Sequence, residues 1–162
     1  VELRGNVDPR LAKLEAGEAD GLVLAVAGLE RLGRADAVSF VFDESQMTPA
    51  AGQGALVVQT RTGRESELAA LGDAASLPRL LAERAAVVGL NADCSSPVGI
   101  HARLEGEWLV IDGFAGRSDG SVWVRDRVEG DAARPEMLGR ELADRMLRAG
   151  ATEAMSGSTL SD

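Results

Sequence analysis

A single cysteine stands in the stretch "NADCSSPVG", residues 91 to 99, among turn-forming residues rather than inside an apolar run. One thiol cannot close a disulfide within its own chain, which leaves inert packing, redox sensing, metal binding or covalent chemistry. Free cysteines usually serve as small buried hydrophobes. Asp93, Ser95, Ser96 and Pro97 around Cys94 make no core, however. A thiol of ordinary pKa, ~8.5, is only about 3% thiolate at pH 7, so reactivity there needs nearby cations or backbone N–H groups. His101 is the only histidine. A Cys/His pair is the obvious route to nucleophilic catalysis, but strand alternation leaves open whether His101 faces the thiol. With no other Cys or His, the chain has no zinc-binding set, and no metal site is expected.

A second group of candidates is cationic. In "RGNVDPRLAKL", Arg4 precedes a short helix and Arg10 sits in its first turn. Helix N–H groups and two forked guanidiniums can hold carboxylates through paired hydrogen bonds. A solvated or salt-bridged pair fits the same spacing, and Arg31 in "AGLERLG" is equally open. Lys13 is the one lysine among 17 basic residues. GC-rich codon usage accounts for most of the arginines, so each must be argued by position. "PAAGQGAL" lacks the G-x-G-x-x-G pattern and no Lys-Ser/Thr follows it, so it reads as a hinge and not a phosphate loop.

The elements that must position these residues can be read from pattern. The chain has 162 residues and 45% hydrophobic content, enough for a buried core in one domain or two small ones. A net charge of -9 argues against nucleic acid as a partner. Apolar runs near Leu22 and Ala85 fall far short of the ~20 residues of a membrane span. One cysteine suits a reducing cytoplasm, and Val1 in place of a methionine suggests a fragment.

Asp8 and Pro9 predict an N-cap and first turn, with Leu11 and Leu14 on the buried face of a helix ending at Gly17. Gly21 to Ala25 predicts a buried strand, followed by a helix carrying Leu29 and Leu32. "VSFVF" and "ALVVQTR" predict strands on either side of a Pro/Gly-rich connection, and "ESELAAL" a short helix. "SLPRLLAERAAVVGL" predicts a helix capped by Ser76, with Leu77, Leu80, Leu81 and Val88 inward. "VGIHARL", "EWLVIDGFAGR" and "SVWVRDRVEG" predict three hairpin-linked strands. A helix from Pro135 to Ala149 follows, with Leu138, Leu142 and Met146 as its stripe and Gly150 closing it. The tail from Ser156 is expected to fray.

Taken in order, "RGNVDPRLAKLEAGEADGLVLAVAGLERLG", "TPAAGQGAL", "AERA" and "CSSPVG" resemble the C-terminal half of the porphobilinogen deaminases, also called hydroxymethylbilane synthases. The resemblance spans nearly the whole chain. It implies that Cys94, in a C-x-x-P-[IV]-G loop, carries a dipyrromethane cofactor through a thioether. Sulfur suits that task, since porphobilinogen that has lost ammonia is a soft electrophile. The cofactor then primes addition of four porphobilinogen units, giving the linear tetrapyrrole hydroxymethylbilane. Each ring carries acetate and propionate, and the family's carboxylate-binding arginines fall on Arg4, Arg10 and Arg31, its loop glutamine on Gln53. Glu83 and Arg84 resemble a supporting pair. Ala92 and Asp93 replace the family's common Gly-Gly, which sets a carboxylate beside the thiol.

The resemblance further implies a mixed α/β and α+β fold. Residues 1 to 48 would complete an α/β domain resembling periplasmic binding proteins, domain 2. Residues 49 to 75 would form a hinge and crossover belonging to domain 1. Residues 76 to 162 would form domain 3, a three-stranded antiparallel sheet packed against helices. The family's catalytic aspartate belongs to the N-terminal half, so no catalytic residue is assigned here and the fragment alone is expected to be inactive. Its expected partners are porphobilinogen, the growing pyrrole chain and the missing half, in a cytoplasmic monomer. The rival reading is a non-catalytic polycarboxylate-binding module on the same fold.

Overall fold

Alternating apolar residues between 98 and 131 form three strands, β1 (Val98–Glu105), β2 (Trp108–Gly116) and β3 (Trp123–Asp131), in a computed structural model that describes residues 5 to 156. Arg4 and the tail beyond Ser156 lie outside the described residues. The sheet is antiparallel in the order β1-β2-β3, with Ile100 opposite Gly113, Ala102 opposite Ile111 and Ile111 opposite Val128. Because side chains alternate, these residues share one face. That face is buried against α3 (Ser76–Gly89), α4 (Pro135–Arg148) and α5 (Ala151–Met155), reached through the left-handed Gly150. Pro135 opens α4, and Leu138, Leu142 and Met146 are buried along it as their spacing predicts. Ile100, Leu109, Ile111, Leu142 and Met146 are fully enclosed, each contributing roughly 1.5–3 kcal/mol by leaving water.

Helix α3 departs from its predicted face. Its buried residues are Ala82, Glu83 and Ala86, with Leu90 just beyond; of the four residues expected inward, Leu80 and Leu81 are half-buried, whereas Leu77 and Val88 are 56% and 78% exposed. The small residues win because they permit close approach. A Cβ on Gly139 of α4 would run into the Ala82 carbonyl oxygen, and one on Gly89 would meet the Ala143 methyl at 2.6 Å. At 3.6 residues per turn, Leu77 and Val88 then fall nearly opposite the alanine stripe. Ser76 is the first helical residue and Ala75 the cap; the Ser76 hydroxyl donates instead to Asp73.

On the outer face, Asp112 accepts from Arg127 Nε at 2.7 Å and from an Arg103 terminal nitrogen at 2.5 Å. Burial pushes the Asp112 carboxyl up, but these two guanidiniums outweigh it and hold it below 3.8. Arg125 lies over the Phe114 ring and donates to the Ser45 carbonyl.

The described chain divides into two units, one ending at Phe42 and the other starting at Asp43. In the first, α1 (Val7–Glu15) buries Leu11, and α2 (Val26–Arg31) buries Leu29. Arg34 donates to Asp8 at 3.3 Å and lies 3.8 Å from Glu15. Asn6, not Asp8, occupies the cap position of α1. Proline is tolerated throughout the first turn, where N–H groups have no helical partner, so "DP" alone does not set the start.

The predicted strands at 21 to 25, 38 to 42 and 55 to 61 are not formed among the described residues, and "ESELAAL" makes two 3₁₀ turns, Glu65–Glu67 and Ala69–Leu71. A strand exists only with a partner backbone, and these segments have none here. Their apolar side chains stand in solvent, Val23 at 63%, Phe40 at 61% and Leu56 at 87% exposure.

Gly139→Ala is expected to destabilise the chain by about 1–3 kcal/mol, since the methyl must push α3 and α4 apart. Urea denaturation checks this, and an unchanged midpoint contradicts the close helix contact.

Candidate functional site

The loop bearing Cys94 is fixed at both ends. Helix α3 closes with Asn91 in the left-handed region, φ 51°. The Asn91 N–H donates to the Val88 carbonyl and the Ala92 N–H to the Val87 carbonyl, which satisfies the last turn. Asparagine tolerates that conformation better than most residues. The chain then turns on Asp93, whose Oδ1 accepts from the Ser95 N–H at 2.9 Å, the Ser95 hydroxyl at 2.7 Å, and the Ser96 N–H and hydroxyl at 3.0 Å each. Beyond it, the Gly116 N–H donates to the Pro97 carbonyl, leading into β1. Cys94 itself is exposed and free.

Asp93 therefore spends its lone pairs on the turn. The Ser95 hydroxyl, with the Ser95 N–H and Ser96 hydroxyl, holds its carboxyl below 3.8. The Asp93 carboxylate beside the thiol is thus a turn-former.

His101 is held among carboxylates. It lies opposite Asp112 on the outer face of the sheet, its Nε2 3.3 Å from Glu44 Oε1 and its Nδ1 3.9 Å from Glu83 Oε1. Glu83, buried on α3, accepts from the Ala102 N–H at 2.8 Å and from the Gly52 N–H at 2.7 Å. "AERA" thus supplies one anchoring carboxylate, while Arg84 is exposed.

Gln53 sits beside that anchor in "PAAGQGAL". Its Oε1 accepts from the Ala50 N–H at 3.1 Å and its N–H donates to the Ala50 carbonyl, so the turn is closed by its own side chain. Gly52 has φ 70°, which a residue with a Cβ resists. Gln53 and Cys94 belong to the unit starting at Asp43; Arg10 and Arg31 belong to the other. Arg10 Nε is sequestered from solvent without a hydrogen-bond partner among the described residues. Arg31 is exposed in the last turn of α2. Arg4 lies outside the described residues.

A shallow pocket of about 240 Å³ opens on the outer face of the sheet between Glu44, Thr48, Asp112 and Arg127. Its cations are already engaged, Arg127 by Asp112 and Arg125 by the Ser45 carbonyl. Among the described residues no cluster of three or more His, Cys, Asp or Glu could hold a metal ion, and no helix is long and apolar enough to cross a membrane. The Asn91 cap and the Glu83 bridge were not read from sequence as such. An asparagine at the end of an apolar helical run was the available signal for the first; the second depends on distant segments and had none.

The lowered Asp93 pKa gives a pH test. A depressed carboxyl favours the folded turn above its unfolded value near 3.8, and that contribution is lost as pH falls through the lower folded value. Carboxyl NMR should therefore place the Asp93 midpoint below 3.8, and Asp93→Ala should speed amide exchange at Ser95 and Ser96. A midpoint at or above 3.8 contradicts the hydrogen-bonded turn.

Residues 1–69 match a family model described as porphobilinogen deaminase, dipyromethane cofactor binding domain, and residues 77–148 match one described as porphobilinogen deaminase, C-terminal domain. The chain is 41% identical to a porphobilinogen deaminase of Thiobacillus denitrificans over 92% of its own length and 50% of the relative's. It is 41% identical to one of Deinococcus radiodurans over 94% and 50%, and 42% identical to one of Roseiflexus over 97% and 52%. The chain spans about half the length of these curated relatives. With both models falling in order along one chain, and an exposed cysteine in the C-x-x-P-V-G loop, the chain belongs to the porphobilinogen deaminase family.

Proposed function

We propose that the protein to which this chain belongs is a deaminating transferase that joins four porphobilinogen units into hydroxymethylbilane, and that Cys94 is its cofactor attachment point. The observation that carries this is the Cys94 turn, a lone exposed thiol on a backbone fixed from Asn91 to Pro97. The residues present fit a covalently held dipyrromethane. The sulfur is exposed and so open to covalent attachment, and within the other unit, taken by itself, the orphaned Arg10 Nε is a donor that a carboxylate would satisfy. Leaving such a donor unpaired costs about 1–3 kcal/mol, so an anionic partner there is favoured. When bound, dipyrromethane supplies the primer to which pyrrole units are added.

In this reading Cys94 holds the primer, and Arg4, Arg10 and Arg31 bind acetate and propionate groups. Gln53 lends its amide from its own turn. Local guanidiniums let a protein of net charge -9 present positive charge to a polyanion. The model whose description names the cofactor matches residues 1–69, the arginine-bearing stretch, while Cys94 falls in the C-terminal match. Residues 1 to 48 act as part of domain 2, 49 to 75 as a crossover of domain 1, and 76 to 162 as the attachment domain. The unpaired apolar segments at 21 to 25, 38 to 42 and 55 to 61 are completed by the rest of the protein, without which this half does not turn over substrate. The whole protein works as a monomer in a reducing cytoplasm, which preserves the thiol.

In the full-length protein, Cys94→Ser is expected to carry no adduct by intact-mass spectrometry, since a hydroxyl is a much weaker nucleophile. Normal adduct and turnover in that variant would overturn the assignment. An unmodified wild-type protein that still binds polycarboxylates would make it a binding module instead. Arg10→Leu is expected to fold normally, because Leu11 supplies the packing of α1, and to accumulate stalled enzyme-bound intermediates visible as a mass ladder. Unfolding, or elongation at the wild-type rate, would make Arg10 a structural residue.

A further inference from the structure

We propose that Glu83 is a positioning residue for this site, its buried carboxylate fixing the loop of Gln53 against the strand that follows Cys94; this rests on the deaminase reading above. Glu83 is only 7% exposed, and its two oxygens go to two different segments, Oε2 to the Gly52 N–H and Oε1 to the Ala102 N–H. Those partners lie 31 and 19 residues away in sequence. One side chain therefore joins a helix, a loop and a strand.

A buried ion is weak ground for stability, because apolar packing of the same volume often does as well. Its distinctive contribution is location. A carboxylate accepting from backbone N–H groups makes charge-assisted bonds, roughly twice as strong as neutral ones, and each fixes a main-chain position. Gly52 is held at φ 70°, and Gln53 follows it in a turn closed by its own amide, so anchoring Gly52 sets where Gln53 stands. A second contact backs the loop: a Cβ on Gly99 of β1 would collide with the Thr48 carbonyl, so glycine lets the loop lie directly on the strand. His101 Nδ1 at 3.9 Å is the nearby group able to carry positive charge, and Glu44 lies on its far side.

The test uses the full-length protein with Glu83→Gln, Glu83→Asp, Gln53→Ala and the double variant Glu83→Gln/Gln53→Ala. Glutamine replaces one acceptor oxygen with a donor, so one N–H loses its partner. Amide exchange at residues 50 to 54 should rise about tenfold while β2 and β3 keep their protection. Porphobilinogen consumption should fall about tenfold in each single variant, and Gln53→Ala should cost less than about twofold further once Glu83 is Gln. Multiplicative losses would overturn the proposal, since the two residues would then act independently. So would a Gln53→Ala variant of wild-type rate, because the loop would then hold nothing that the reaction uses. If Glu83→Gln does not fold, Glu83→Asp, which keeps the charge but is one methylene too short to reach both N–H groups, is read by the same exchange and rates. If the wild-type protein carries no adduct on Cys94, the deaminase reading fails, and exchange at 50 to 54 in the Glu83 variants alone decides whether the carboxylate holds the loop.

Discussion

The contact between Gly139 and the Ala82 carbonyl sets the spacing on which the second unit is built. Two helices meet there with almost no side chain between them, and the alanine stripe of α3 is what faces α4. The next residue along α3 is Glu83, the one buried acid on that helix. Had α3 packed through its leucines, the helices would stand farther apart and Glu83 would be carried off the edge of β1. Close packing by small residues thus places a charge, and the charge places a loop.

The same helix delivers the thiol. It ends on a satisfied cap at Asn91, and within two residues Asp93 starts a turn held by four hydrogen bonds to one oxygen. Preorganisation of this kind lowers the entropy lost when a group is captured. A flexible Gly-Gly in the same place would leave more of that ordering to the moment of capture, should the thiol take up a group as proposed. Here the acidic residue acts as a turn-former, since the hydroxyls and N–H groups of Ser95 and Ser96 take up the carboxylate.

What could be read from the sequence divides along a physical line. The antiparallel sheet, the stripe of α4 and the glycine that ends it were legible, because local alternation and helical period fix them and the partners lie within a few dozen residues. The strands at 21 to 25, 38 to 42 and 55 to 61 carry the same apolar signal but no pairing here, because pairing is a property of two segments and the pattern reports one. The buried face of α3 was misread for a related reason. Leu77 and Val88 outrank alanine by hydrophobicity, and only the opposing Gly139 shows that closeness outweighs size. At the candidate site, the Cys94 and Gln53 loops stand out in the sequence by their turn-forming residues, whereas the Glu83 bonds join segments up to 31 residues apart and leave no local signal.

The bond from the Ala102 N–H to Glu83 has a consequence for solubility. Strand β1 is an edge of the sheet, and an N–H pointing outward from an edge invites a stranger's strand to dock. In β1 that donor is already taken by an acid that cannot donate in return, and the 48–52 loop lies over the same stretch. An incoming strand would have to displace an ionised group from its hydrogen bonds and bury it afresh, which is costly. The residue that holds the loop therefore also shields this edge of the sheet from aggregation.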